Sequence, residues 1–226
     1  MKKPHQIYKR VYMVGGPDIT DGRDCCVYLV DGGGELALID AGLGYSYQEI
    51  LNNIAKMGLD GSRLKYVVAT HGHIDHIGGL HCFQPLGAKV VCHELEEDAV
   101  AGGIPSLTAE RYYRVRYRPV SIDIILKGET QELPVGDLIL HCLLTPGHTP
   151  GGISPYLDME GTRVLFGQDI HGPFDDSWGS DMVKWKASMK KLLDLNADVL
   201  CEGHFGVYQP AQEVRKYIER HMRYFI

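Results

Sequence analysis

The sequence predicts a layered α/β (α+β) fold, with sheets inside and helices outside. Three observations predict it. Short apolar runs of strand type and segments with helical spacing are interleaved in both halves of the chain. The side chains best suited to binding metal fall just after the C-terminal ends of the expected strands, where layered α/β folds place chemistry. A chain of 226 residues, 44% apolar and 23% charged, is ample for one sizeable core and thin for two. Residues 1–226 are therefore read as one domain.

The elements follow in order. Residues 27–30 and 35–40 are apolar runs about the turn Asp31-Gly32-Gly33-Gly34, the pattern of a β-hairpin. Residues 46–57 place Ile50, Leu51, Ile54 and Met57 at helical spacing, with Gly58 as a stop. A strand over 65–69 runs into Thr70-His71-Gly72-His73-Ile74-Asp75-His76. A short helix over 77–84, a strand over 89–92 and a helix over 93–100, acidic in its opening turns, come next. The strand over 138–144 ends in Thr145-Pro146-Gly147-His148-Thr149-Pro150-Gly151-Gly152. Strands over 153–157 and 163–166 follow, the second leading into Gly167-Gln168-Asp169. Residues 182–195 are a helix with Trp185, Met189, Leu192 and Leu193 turned inward. A strand over 198–201 ends at Glu202-Gly203-His204, and Pro210 opens a last helix to residue 223, at a position where proline is tolerated.

Composition excludes several classes. No apolar run approaches the roughly 20 residues that span a bilayer. A net charge of −6 makes the chain a poor general binder of nucleic acid, whose phosphates need clustered cations. Six cysteines without a CxxC pair are too sparse for a disulfide framework and read as buried thiols of a cytoplasmic protein. The opening MKKPHQIYKRVYMVGG has positive charge with no apolar stretch behind it, so no signal peptide is expected.

Eleven histidines carry the functional reading. In His71-x-His73, residues two apart point the same way in an extended segment and can bind one cation together. Asp75 and His76 lie beyond a bend and face a neighbouring point. One loop cannot complete two coordination spheres, since each metal needs at least three protein ligands and an open position. Three more strand ends supply candidates: His148, Asp169 and His204, each in a glycine-flanked loop. Five imidazoles and two carboxylates, with no thiolate, suit Zn2+, Fe2+ or Mn2+.

From about residue 7 to 210 the sequence resembles the metallo-β-lactamase fold superfamily. THGHIDHIGG matches its signature loop, His148, Asp169 and His204 match its later metal motifs, and Asp40 in LIDAG matches its early structural aspartate. The resemblance implies a four-layer αββα sandwich with metals at one edge between the sheets. It places His71, His73 and His148 on metal 1, Asp75, His76 and His204 on metal 2, and Asp169 between both. Two cations about 4 Å apart would then clamp a bridging hydroxide that attacks an electrophilic carbon or phosphorus, with Asp75 orienting the nucleophile.

Departures narrow the branch. True β-lactamases of this fold carry cysteine or serine where Asp169 stands. The glyoxalase II branch has the same seven ligands but usually a longer C-terminal region that grips glutathione, whereas only about 22 residues follow His204. The lactonase branch often has a tyrosine near the bridging aspartate, where this chain has His171. The expectation is a dinuclear hydrolase of a small thioester, ester or lactone, anionic substrates included, with two divalent ions, Zn2+ first and Fe2+ or Mn2+ as alternatives. A mononuclear Fe(II) persulfide dioxygenase and a ribonuclease Z-like phosphodiesterase are the competing readings. A homo-oligomer is left open.

Arg111-Tyr112-Tyr113-Arg114-Val115-Arg116-Tyr117-Arg118 puts four arginines and three tyrosines in eight residues. It reads as a lid over an anionic, partly apolar substrate, as a platform for single-stranded nucleic acid, as a dimer contact, or as a solvated connecting helix. Candidate substrate contacts are His171, Tyr112, Tyr113, Arg114 and Tyr117. His5, His81, His93, His141 and His221 are read as ordinary hydrogen-bonded histidines.

Overall fold

The computed structural model describes residues 2–225. Its strands are β1 (His5–Tyr8), β2 (Val11–Gly15), β3 (Val27–Asp31), β4 (Leu36–Ile39), β5 (Leu64–Val68), β6 (Lys89–His93), β7 (Ile124–Leu126), β8 (Thr130–Val135), β9 (Leu138–Leu144), β10 (Ile153–Met159), β11 (Thr162–Phe166), β12 (Val199–Cys201) and β13 (Val207–Tyr208). Its helices are α1 (Tyr47–Lys56), α2 (Ile74–Ile77), α3 (Leu80–Phe83), α4 (Glu97–Val100), α5 (Glu110–Tyr113), α6 (Met182–Asp194) and α7 (Ala211–Tyr224). One sheet runs β1-β2-β3-β4-β5-β6-β7 and the other β13-β12-β11-β10-β9-β8. Parallel pairing is confined to β4–β5–β6–β7 and β11–β12.

Period-two alternation explains the layers. In β3, Tyr28 and Val30 face the second sheet, while Val27 and Leu29 face Ile50 and Ile54 of α1. In β11, Val164 and Phe166 face the first sheet, and Leu165 packs against Trp185 and Leu192 of α6 and Ile218 of α7. The result is helices, sheet, sheet, helices. Strands buried on both faces read as unbroken apolar runs, which is why β3, β4, β5 and β11 were legible in sequence.

Several expectations need correction. The helix expected over 77–84 is shortened to the single turn α3, with a separate turn, α2, ending at Ile77 before it and Gly78 and Gly79 between them. A Cβ on Gly78 would lie 2.3 Å from the Leu43 carbonyl oxygen, and one on Gly79 2.2 Å from that of Ala41, so the chain is pressed against the loop after β4. The segment 93–100 opens as a 3₁₀ turn, Glu94–Glu96, before α4. Strands β1, β2, β7, β8 and β13 were not anticipated; β1, β7, β8 and β13 are edge strands, and β8 carries Pro134, tolerated there. All six cysteines are free, and all but half-buried Cys82 are buried. Among the described residues no helix is long and apolar enough to cross a membrane.

Candidate metal centre

The centre begins with Asp40, which closes β4 in the left-handed region at φ 63°. Its carboxylate accepts from the Thr70 backbone N–H at 2.8 Å and the Thr70 hydroxyl at 2.9 Å, tying the loop after β5 to the end of β4. The same carboxylate accepts from His76 Nδ1 at 2.8 Å. Because the Thr70 hydroxyl donates to Asp40, it accepts from His71 Nδ1, 3.1 Å away. His148, in the loop after β9, donates through Nδ1 to the Pro173 carbonyl at 2.8 Å. His71 and His148 therefore carry their proton on Nδ1 and keep a lone pair on Nε2. At His76 burial is outweighed by the carboxylates of Asp169, Asp40 and Asp75, which raise its pKa, so a cation there would displace the Nε2 proton.

His73 is extended at the N-terminus of α2, and Asp75 and His76 occupy its single turn. Asp169 follows β11 and His204 follows β12. The ligand-type atoms of His71, His73, His148 and Asp169 all lie within 4.8 Å of one another, as do those of Asp75, His76 and His204. Asp169 reaches both groups: Oδ2 is 3.5 Å from His148 Nε2 and 3.3 Å from His204 Nε2, and Oδ1 is 3.2 Å from His76 Nε2. His204 Nε2 is 3.2 Å from Asp75 Oδ2. All seven side chains predicted from the sequence are brought together at the edge between the sheets.

The site tests whether divalent cations fit. His71 Nε2 and His73 Nε2 are buried with no hydrogen-bond partner. An orphaned buried polar atom costs about 1–3 kcal/mol, and a cation answers a lone pair where a proton donor is missing. Burial holds His73 down to about 3 and His148 down to about 4, so both are neutral donors at physiological pH. At His204 burial works against the charge, yet Asp169 and Asp75 win and push it up to about 10. The donor set fits divalent cations, and those at His204 would have to displace a proton.

Glu96 was not anticipated. It is buried, and one oxygen accepts from the Gly72 N–H at 2.9 Å. The other accepts from the Thr149 hydroxyl at 2.6 Å and the Gly151 N–H at 2.7 Å. It thus ties the loop holding His71 and His73 to the loop holding His148. Burial raises its carboxyl to about 7, against these three hydrogen bonds. Nothing in the sequence separates it from Glu94, Glu97 and Asp98 beside it; only its burial does.

A cavity of about 990 Å³ opens over the centre, with His73, Asp75, Asp169 and His204 at its floor. Tyr112, Tyr113 and His171 line it, as the sequence suggested, together with Trp178 and Phe205, which it did not. Tyr113 keeps its proton through burial and the facing Asp75 carboxylate. His171 donates through Nδ1 to buried Glu202 at 2.8 Å, and the other Glu202 oxygen accepts from the backbone N–H groups of His204 and Phe205.

Two expected substrate contacts are corrected. Tyr117 is buried in the core between the first sheet and its helices, its hydroxyl donating to the Val100 carbonyl at 3.0 Å. Arg114 is exposed, ends α5 in the left-handed region at φ 55°, and does not line the cavity. Because α5 is one turn long, the chain reverses after Tyr113 and carries 115–118 to a separate cavity beside Cys82. Among the histidines read as ordinary, His93 accepts from the Leu95 N–H and His81 lies 2.8 Å from the Gly78 carbonyl, whereas His5 lies along the cavity wall.

A family model described as the metallo-beta-lactamase superfamily matches residues 20–204. A hydroxyacylglutathione hydrolase of Anaeromyxobacter dehalogenans is 34% identical over 150 residues, 66% of this chain and 47% of that protein. A beta-lactamase-like protein 2 homolog of Caenorhabditis elegans is 27% identical over 212 residues, 92% of this chain and 64% of that protein. The chain thus spans from about half to just under two thirds of these relatives. The solved metallo-β-lactamase MIM-1 from Novosphingobium pentaromativorans superposes with a TM-score of 0.81 at 22% identity, covering 99% of this chain and 88% of that one, a likeness of fold.

Proposed function

The chain belongs to the metallo-β-lactamase superfamily, and from that premise we propose that it is a metal-dependent hydrolase of small thioesters, esters or lactones, working with two divalent cations, Zn2+ first among them. The observation that carries this reading is the convergence of seven ligand-type side chains on two adjoining points, with Asp169 between them and buried imidazole nitrogens left without partners. His71, His73 and His148 would hold one cation, Asp75, His76 and His204 the other, and Asp169 both. When bound, such cations lower the pKa of water and polarise a substrate oxygen.

The chain's own groups do the rest. Asp40, Thr70 and the Pro173 carbonyl hold the Nδ1 protons of His76, His71 and His148, so the three Nε2 atoms stay aimed at the centre. Asp75 accepts a hydrogen bond from the attacking water and orients it. Tyr113, facing Asp75, supplies a donor on the cavity side. Residues 1–226 serve this one site as one domain.

Asp75, His76 and His204 offer a place for a second cation, and metal content with O₂ uptake separates this reading from a single-iron persulfide dioxygenase. The absence of Arg114, Arg116 and Arg118 from the cavity lining supports a small-molecule substrate over RNA. The test is elemental analysis of protein purified without added metal or chelator, beside His73→Ala. About two equivalents, zinc-rich, are expected. The variant should lose hydrolysis and metal while keeping its far-UV circular dichroism. Full activity with normal metal in the variant would refute the site. One equivalent of iron with O₂ uptake on glutathione persulfide would establish the dioxygenase instead.

A further inference from the structure

Resting on the hydrolase reading, we propose that the part of the substrate remote from the reacting bond is uncharged and apolar, of the size of a benzyl or medium-chain acyl group, and not the anionic glutathione moiety. Charge on the cavity wall argues for it. Among the described residues, Lys2 is the one lysine or arginine that lines the cavity, and its Nζ lies 2.8 Å from Asp18, which lines it too. None of the four arginines of 111–118 reaches in. Arg111 donates to the Tyr112 hydroxyl at 3.0 Å and lies 3.7 Å from Asp175 on the outer surface. Arg114 points to solvent, and Arg116 and Arg118 line the separate cavity beside Cys82. A substrate bearing two carboxylates would meet no arginine outside the metal centre, Lys2 only beside Asp18 and His171 only beside Glu202, and desolvating an unpaired carboxylate is costly.

Apart from Tyr113, whose hydroxyl faces Asp75 at the metal centre, the wall's Trp and Tyr side chains have their polar ends engaged elsewhere. The Trp178 Nε1–H donates to Ser180 Oγ at 2.8 Å, so the indole offers the cavity only carbon; its ring packs edge-on to His73 at 4.7 Å. The Tyr112 hydroxyl donates to Asp175 at 3.0 Å, leaving its ring, 5.5 Å from that of Trp178, to face inward. Phe205 is 60% exposed at the mouth, packed edge-on to His171 at 4.7 Å. Ile19 and Met13 continue the wall. Such surfaces gain from burying a flat or aliphatic group and gain nothing from a charged one.

The experiment compares two uncleavable thioethers that differ in charge, N-acetyl-S-benzylcysteamine and S-benzylglutathione, by calorimetry on the full chain with its metals. It then measures kcat/KM on the matching phenylacetyl thioesters. The uncharged member of each pair should bind, and be cleaved, at least about 10-fold better. Phe205→Arg, which places a cation at the mouth, should narrow both ratios by about 10-fold. Equal or tighter binding of S-benzylglutathione, with equal or faster cleavage of its thioester, overturns the inference and leaves the hydrolase reading standing. Cleavage of neither thioester by a chain holding two cations removes thioesters from the hydrolase reading and leaves esters and lactones, while the thioether pair still decides whether the cavity prefers the uncharged ligand.

Discussion

Gly147 stands next to His148 with φ at +143°, and a Cβ placed there would lie 2.3 Å from the Cα and 2.5 Å from the backbone N of Trp185. Those are backbone atoms of α6, so no rotamer change relieves the contact. Replacing Gly147 by alanine therefore imposes two costs. Holding an L side chain at that φ costs about 1–3 kcal/mol. Pushing α6 away by roughly an ångström adds an overpacking penalty of about 1–3 kcal/mol. The shift also strains the bonds that dock α6 here: the Asp181 N–H to the Gly147 carbonyl at 2.8 Å, and the Ser188 hydroxyl to the Pro146 carbonyl at 2.7 Å. The sum, roughly 2–6 kcal/mol, is a large share of a typical stability of about 5–15 kcal/mol. It corresponds to a fall in Tm of roughly 4–24 °C for a chain of this length. Gly161→Ala is the matched control. Its φ is +79° and nothing lies within 4 Å of the added Cβ, so it reports backbone strain alone. Thermal unfolding of both variants, with a metal titration of Gly147→Ala, tests the account. Stability of Gly147→Ala within about 0.5 kcal/mol of Gly161→Ala would show that α6 gives way freely and that the clash is unimportant.

Three further outcomes follow from the same geometry. Glu96 is raised from 4.5 to about 7 by burial, so its neutral form contributes stability that is fully present below 4.5 and lost as pH rises through 7. Between pH 4.5 and 8 the stability gap between wild type and Glu96→Gln should move in the variant's favour by about 3 kcal/mol, and parallel curves in denaturant would contradict this. His204 is raised to about 10, so its protonated form stabilises the metal-free chain fully below 6.5, a contribution lost as pH rises through 10. A cation needs the neutral ring, and His76 is raised too; metal binding near pH 8 should therefore release more protons from wild type than from His204→Ala, measurable by calorimetry in buffers of different ionisation enthalpy, and equal release from both would remove His204 from the centre. Tyr113→Phe should lower kcat by about 10-fold, the value of one hydrogen bond to a charged group, with metal content unchanged; a normal kcat would free Tyr113 from any role.

Local chemistry made much of this protein legible from its residues. Helices α6 and α7 begin and end within a residue or two of their expected bounds, because an apolar stripe and the turn residues beside it are written in neighbouring positions. The seven candidate ligands stood out because histidines and aspartates at strand ends have few other reasons to cluster. Edge strands such as β1 and β8 were not legible, since their pairing comes from partners and not from their own pattern.

The surroundings of the centre were set by contacts distant in sequence. Glu96 meets Gly72, Thr149 and Gly151 from 24, 53 and 55 residues away, and no local spacing announces such a meeting. The arginine- and tyrosine-rich stretch shows the same limit. Side-chain types named it as a candidate lid, but the single turn of α5 and the left-handed Arg114 after it determine that Tyr112 and Tyr113 face the cavity while Tyr117 enters the core. Residue types and short periods specify what each segment can do, whereas the direction in which it points depends on packing against segments far along the chain.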